Sequence, residues 1–120
     1  MGKSNDLGAW GEARAAEFLL EKGYALVAQN YHSRYGEIDL VMEDDAYLVF
    51  VEVKLRKNIR YGTPAEAVTQ KKQQRLRITA LAYLQCHETE KQPRFDVVEI
   101  YAPRGTETNP LPIHHIENAF

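Results

Sequence analysis

The stretch Gly36-Glu37-Ile38-Asp39-Leu40-Val41, answered by Phe50-Val51-Glu52-Val53-Lys54, decides how this chain is read. Both runs are apolar and rich in β-branched residues, as buried strands are. Glu43-Asp44-Asp45-Ala46-Tyr47 between them reads as a tight polar turn. Three ionisable residues, Asp39, Glu52 and Lys54, interrupt the apolar pattern. An unpaired buried charge is expensive, so an ordinary core would not place them there. Strand side chains alternate, so Glu52 and Lys54 point the same way.

Asp39 joins them in one register only. A four-residue loop, Asp44 to Tyr47, opposes Glu43 with Leu48 and therefore Asp39 with Glu52. A loop one residue shorter sends Asp39 to the other face. The four-residue register is adopted because it gathers the three charges where they neutralise one another or hold a cation. Glu37 is assigned to the rim, off the face of Asp39. Gly36 allows backbone bending or close approach by a ligand, or simply closes the turn.

Asp39 followed by Glu52-Val53-Lys54 matches the D…ExK signature of the restriction-endonuclease-like, PD-(D/E)xK, nucleases. More closely, GEIDLV followed by VFVEVKLR resembles the YraN-like family of bacterial predicted nucleases, relatives of archaeal Holliday-junction resolvases. GAWGEARAAEFL near the start, AVTQKKQQRLRITALAYL and RFDVVEI carry the likeness along most of the chain. The resemblance implies a restriction-endonuclease-like α/β sandwich and a metal-dependent nuclease. It also implies that Glu12 reaches the active site. Read by itself, Glu12 is an acid early in a helix, a complement to the helix dipole.

At 120 residues the chain is expected to form one domain, residues 1–120. No apolar run approaches the roughly 20 residues that span a bilayer, and Met1 to Asp6 lack a signal peptide's apolar segment. Cys86 is the single cysteine, so the monomer has no internal disulfide or cysteine metal cluster. A cytoplasmic protein without membrane contact is the expectation. The net charge of −2 conceals a strong asymmetry. From Lys54 to Arg77 eight basic residues face one acid, Glu66, giving +7 and leaving −9 for the remainder. Such a molecule can hold phosphate on one side while staying acidic overall. The bland alternative is a solvated basic helix face.

Along the chain, Asp6 is the expected N-cap of a helix from about Leu7 to Lys22, with Gly23 as its C-cap. Ala9, Ala13, Ala16 and Leu20 define its small-residue face, with Glu12 on the edge. Tyr24 to Tyr31 reads as a strand, and His32 to Tyr35 as the turn into GEIDLV. After a basic loop, Arg56 to Gly62, Thr63-Pro64-Ala65-Glu66 forms a capping box that opens a second helix. Val68, Leu76, Ala80, Tyr83 and Leu84 make its apolar face. Lys72 lies on that face and must snorkel to water or meet a buried acid. With Asp39 and Glu52 awaiting partners and a lysine here in the family pattern, Lys72 is taken to face the site, with Gln70 on its rim. Arg94 to Tyr101 reads as a further strand, followed by a proline-rich loop and a short segment, Ile113 to Ile116. His32, His87, His114 and His115 lack metal-site spacing and receive no chemistry. The order α-β-β-β-α-β implies a mixed sheet, antiparallel first and then joined by a helical crossover to a later strand.

Asp39, Glu52 and the Val53 carbonyl are hard oxygen donors, suited to Mg²⁺ or Mn²⁺. Lys54 would position or deprotonate a water, or meet charge on the phosphodiester. Without a metal it would simply pair with the carboxylates. The nucleic acid, expected to be DNA, would lie along Arg56, Lys57, Arg60, Gln70, Lys71, Lys72 and Arg75. Resolvase-like cutting of branched DNA would require a homodimer. A non-catalytic nucleic-acid-binding module and a protein-interaction scaffold are the competing readings.

Overall fold

The computed structural model describes residues 3–57 and 68–120. The first helix, α1, spans Lys3–Glu21, followed by strands β1 (Ala25–Ser33), β2 (Gly36–Glu43) and β3 (Tyr47–Arg56). A second helix, α2 (Gln70–Cys86), leads to β4 (Gln92–Tyr101), a single 3₁₀ turn at Gly105–Glu107, and β5 (Ile113–Ile116). The five strands form one sheet in chain order. β1, β2 and β3 pair antiparallel, β3 and β4 parallel across the α2 crossover, and β4 and β5 antiparallel. This is the expected α/β sandwich, with a second strand after α2. No helix among the described residues is long and apolar enough to cross a membrane.

Each helix covers one face of the sheet. On one side Ala15, Ala16 and Leu19 of α1 pack on Leu40, Met42, Val49, Val51, Val98 and Ile100. On the other, Leu76, Ala80 and Tyr83 of α2 pack on Ile38, Val41, Leu48, Phe50 and Val97. Strands buried on both faces read as continuous apolar runs, which is why Leu48 to Val51 lacks polar alternation. Phe50 anchors the α2 side edge-to-face with Tyr83, 5.8 Å between ring centroids. Removing such a core ring typically costs about 3–5 kcal/mol.

Local chemistry sets the turns. Gly23, at φ +102°, ends α1 in a Schellman arrangement. Its N–H donates to the Leu20 carbonyl and that of Tyr24 to Leu19. Between β2 and β3 the Asp44 carboxylate accepts the N–H groups of Ala46 and Tyr47 at 2.9 and 2.7 Å. That turn fixes Glu43 opposite Leu48, the register inferred above.

Several boundaries differ from the sequence reading. α1 begins at Lys3, so Asp6 lies inside the helix and is not its N-cap. Its sheet-facing side holds Ala15, Ala16 and Leu19, while Ala9, Ala13 and Leu20 are exposed. Turning the helix this way buries Leu19 and partly buries Phe18, a larger apolar gain than Ala9, Ala13 and Leu20 offer. α2 begins at Gln70, capped by Thr69, whose hydroxyl accepts the Lys72 N–H at 3.2 Å. Val68 is buried but precedes the helix. The capping box expected at Thr63 lies outside the described residues, as does Arg60.

Candidate functional site

The β2–β3 ladder stops at Leu40 opposite Val51, although both strands continue. Beyond that point they diverge, and the Asp39 carboxylate takes the Val53 N–H at 2.9 Å, where a strand partner would otherwise sit. Alternation along β2 is interrupted there. Ile38 packs in the α2-side core, whereas Leu40, two residues on, packs in the α1-side core. Asp39 therefore meets Glu52 at a fork between strands, and simple opposition in an unbroken hairpin does not describe it.

Glu52 is buried at 6% exposure. Its Oε2 stands 3.6 Å from Lys54 Nζ and 3.6 Å from Lys72 Nζ. Lys54 is two residues along the same strand, and Lys72 reaches over from the first turn of α2. Its Oε1 is buried and has no hydrogen-bond partner among the described residues. An acceptor left in that state carries a desolvation cost that a ligand could relieve.

The acidic character extends toward α1. Glu12 precedes Ala15, Ala16 and Leu19 by three, four and seven residues, so it lies in line with the buried face and not at its edge. Burial raises the protonation range of Glu12, with the charges of Glu37 and Glu52 adding to it and a hydrogen bond from the Asn30 side chain opposing. Asp39 is pushed up to about 7, first by burial and then by Glu52, against the Val53 hydrogen bond, with Glu12 and Glu37 contributing. Glu37 is thus within the electrostatic reach of both acids. Its side chain is 40% exposed, so it keeps a place at the rim while its charge acts on both acids.

Sequence reasoning missed Asn30. It occupies the left-handed region at φ 51°, in a strand whose pairing runs Gln29 with Leu40 and Tyr31 with Ile38, which sets Asn30 across from Asp39. Its signal was an asparagine inside an otherwise strand-like run, since asparagine is depleted in strands and tolerates positive φ.

The basic residues separate into two groups. Arg56 is paired with Glu99 of β4. Lys57, Gln70, Lys71 and Arg75 are exposed, and Lys72 is half-buried against Glu52.

The acids suit a divalent cation by their chemistry. A buried carboxylate with an orphaned oxygen beside a half-buried one driven toward its protonated form is what a cation would relieve. Among the described residues no three Asp, Glu, His or Cys side chains are gathered closely enough to hold a metal by themselves. A cation would therefore draw on Asp39, Glu52, the Val53 carbonyl and its own waters, the mixed set that Mg²⁺ accepts.

A second polar cluster lies elsewhere in the fold. Asp96, fully buried on β4, accepts from Arg94 Nε and Nη2 at 2.9 and 2.8 Å, His115 Nε2 at 2.6 Å and the Asn118 N–H at 3.0 Å. Arg94 also donates to the Tyr24 hydroxyl at 2.7 Å. With both carboxylate oxygens met, this network ties β4 and β5 to Tyr24, the residue before β1.

The model of "Uncharacterised protein family UPF0102" matches residues 11–100, a span that includes Glu12, Asp39, Glu52, Lys54 and Lys72. The chain belongs to the UPF0102 family. UPF0102 is the YraN family, so the likeness carried by GEIDLV and VFVEVKLR is borne out. A UPF0102 protein of Symbiobacterium thermophilum is 50% identical over 98% of both chains. One of Syntrophomonas wolfei is 45% identical over 98% of this chain and 99% of its own. One of Rhodococcus opacus is 45% identical over 95% of each. The UPF0102 description names no activity, so the chemistry is argued from the site.

Proposed function

We propose that this protein is a metal-dependent nuclease that hydrolyses DNA phosphodiester bonds. The observation that carries the reading is Glu52: a buried carboxylate with two lysines at one oxygen, no partner at the other, and Asp39 beside it. A purely structural ion pair is a poor explanation, because it leaves one oxygen of a buried carboxylate unpartnered while both lysines crowd the other. Mg²⁺ or Mn²⁺ held by Asp39, Glu52 and the Val53 carbonyl would supply a Lewis acid for the phosphoryl oxygens.

The chain's own groups have separable tasks. Glu52 carries the charge that attracts the cation, and Lys54 and Lys72 flank one of its oxygens while the other is left to a ligand. Lys54 would position the attacking water or offset charge as it grows on the phosphorus oxygens. Lys72 would do the same from the α2 side. Glu12, across the fork, would hold that water from the α1 side. Lys57, Lys71 and Arg75, all exposed, would bind the phosphate backbone.

The test pairs calorimetric Mn²⁺ titration with cleavage of branched, nicked and linear DNA on the same preparations. Glu52→Gln should lose ion binding and cleavage together. Lys54→Ala should keep or strengthen ion binding, since a competing positive charge is gone, yet lose cleavage. Wild-type protein that binds no divalent ion and cuts no substrate would defeat the proposal, leaving a non-catalytic binding module.

A further inference from the structure

Beside the carboxylates lies a groove of about 630 Å³ between the β1–β2 turn and α2, lined by Arg34, Tyr35, Gly36, Glu37, Arg75 and Ile78 among others. Tyr35 is 51% exposed at the tip of the turn, with the Arg34 guanidinium 5.6 Å from its ring centroid. Ile78 is 42% exposed. Single exposed apolar residues are ordinary. Here an aromatic face, an aliphatic wall and two guanidinium groups share one concavity, and Glu37 at its margin acts on Asp39.

The turn is also held in place. Ser33 Oγ accepts the Tyr35 N–H at 3.0 Å and lies 3.1 Å from Thr79 Oγ1. Thr79 is fully buried in α2 and donates in turn to the Arg75 carbonyl at 2.8 Å. At Gly36 a Cβ would come within 3.2 Å of the Thr79 hydroxyl, so the close approach of turn and helix uses the missing side chain. The main chains at Tyr35 and Arg75 are thereby tied to each other through three hydrogen bonds.

We infer that this groove binds an unpaired nucleotide of single-stranded or splayed DNA, its base on Tyr35 and its flanking phosphates on Arg34 and Arg75. A base within a duplex has both faces covered by its neighbours and cannot lie against a tyrosine ring. An unpaired base can, whatever its identity, because every base presents a π-face. The guanidinium groups match phosphate in charge and in the geometry of their donors. The inference rests on the phosphodiesterase reading of the adjacent site and narrows its substrate to DNA with an unpaired segment next to the cut.

The test is fluorescence anisotropy in EDTA, where no cleavage can occur, with labelled single-stranded, forked and fully paired oligonucleotides. Wild-type protein should favour single-stranded and forked DNA over the duplex. Tyr35→Ala should weaken binding to the first two roughly tenfold and leave duplex binding unchanged. Tyr35→Phe, which keeps the ring, should bind as wild type and shows that any loss at alanine is not misfolding. Arg34→Ala with Arg75→Ala should lower the single-strand salt slope by about one unit or more. Equal binding by Tyr35→Ala and wild type, or a wild-type preference for the duplex, overturns the inference. A parallel Mg²⁺ cleavage assay separates the two claims. Tyr35-dependent binding without cleavage defeats the nuclease reading alone, whereas cleavage indifferent to Tyr35→Ala on forked DNA defeats this inference alone.

Discussion

The Asp39 carboxylate accepts the main-chain N–H of Val53 at 2.9 Å, at the point where β2 and β3 cease to pair. One side chain thus closes the ladder, and it also holds open the fork where Glu52, Lys54 and Glu12 approach. The arrangement concentrates negative charge in a partly desolvated place, and its energetic consequences can be measured.

Metal-free protein should lose stability as pH rises from about 4 to about 7. Asp39 is pushed up to about 7 in the folded chain, while an unfolded aspartate titrates near its ordinary value of about 3.9. Between those values the native state binds the extra proton, so raising the pH penalises folding. The contribution is fully present below pH 4 and gone above about 7. Urea unfolding in EDTA at several pH values should show wild-type stability falling relative to Asp39→Asn across this window. A constant difference between the two proteins would refute the half-buried, charge-coupled description of Asp39.

The Asp96 network should behave in the opposite sense. Burial alone would raise its carboxyl, but hydrogen bonds from His115, Arg94 and the Asn118 N–H outweigh it and hold it below the usual range. Its stabilisation is present above the ordinary aspartate value and lost as pH falls through the lower folded one. Asp96→Asn breaks a buried pair and should cost about 3–5 kcal/mol, read from denaturant midpoints near pH 7. A cost under about 1 kcal/mol would mean that Arg94 and His115 find other partners.

Arg56 and its basic neighbours should part company in DNA binding. Lys57, Lys71 and Arg75 are exposed, and replacing all three with alanine should flatten the dependence of log K on log salt by about two to three units. Arg56 is paired with Glu99, so Arg56→Ala should leave that slope alone and instead cost about 1–3 kcal/mol of stability by orphaning a half-buried acid. Equal slope changes from the two variants would show that Arg56 leaves Glu99 to bind phosphate.

Much of this molecule was legible before its fold was known. The Asp44 turn, the Glu43–Leu48 register and the crossover through α2 to β4 all follow from local signals: strand alternation, an acidic turn, proline and glycine punctuation. Asp39, Glu52, Lys54 and Lys72 stood out because charges in apolar runs need a reason. The tertiary structure decided how they meet. Whether Glu12 lies on the buried face of α1 depends on which side of that helix fits the sheet, and Leu19 and Phe18 settle it by area, not by periodicity. Asn30 and Glu37 join the site through a break in β2 alternation and a positive φ in β1, which simple alternation did not reveal. Glu99 captures Arg56, and His115 reaches Asp96, because parallel pairing of β3 with β4 and the return of β5 bring distant residues side by side. Sequence marks which side chains need partners, through charges set in apolar runs. Only packing between elements decides which of those side chains meet.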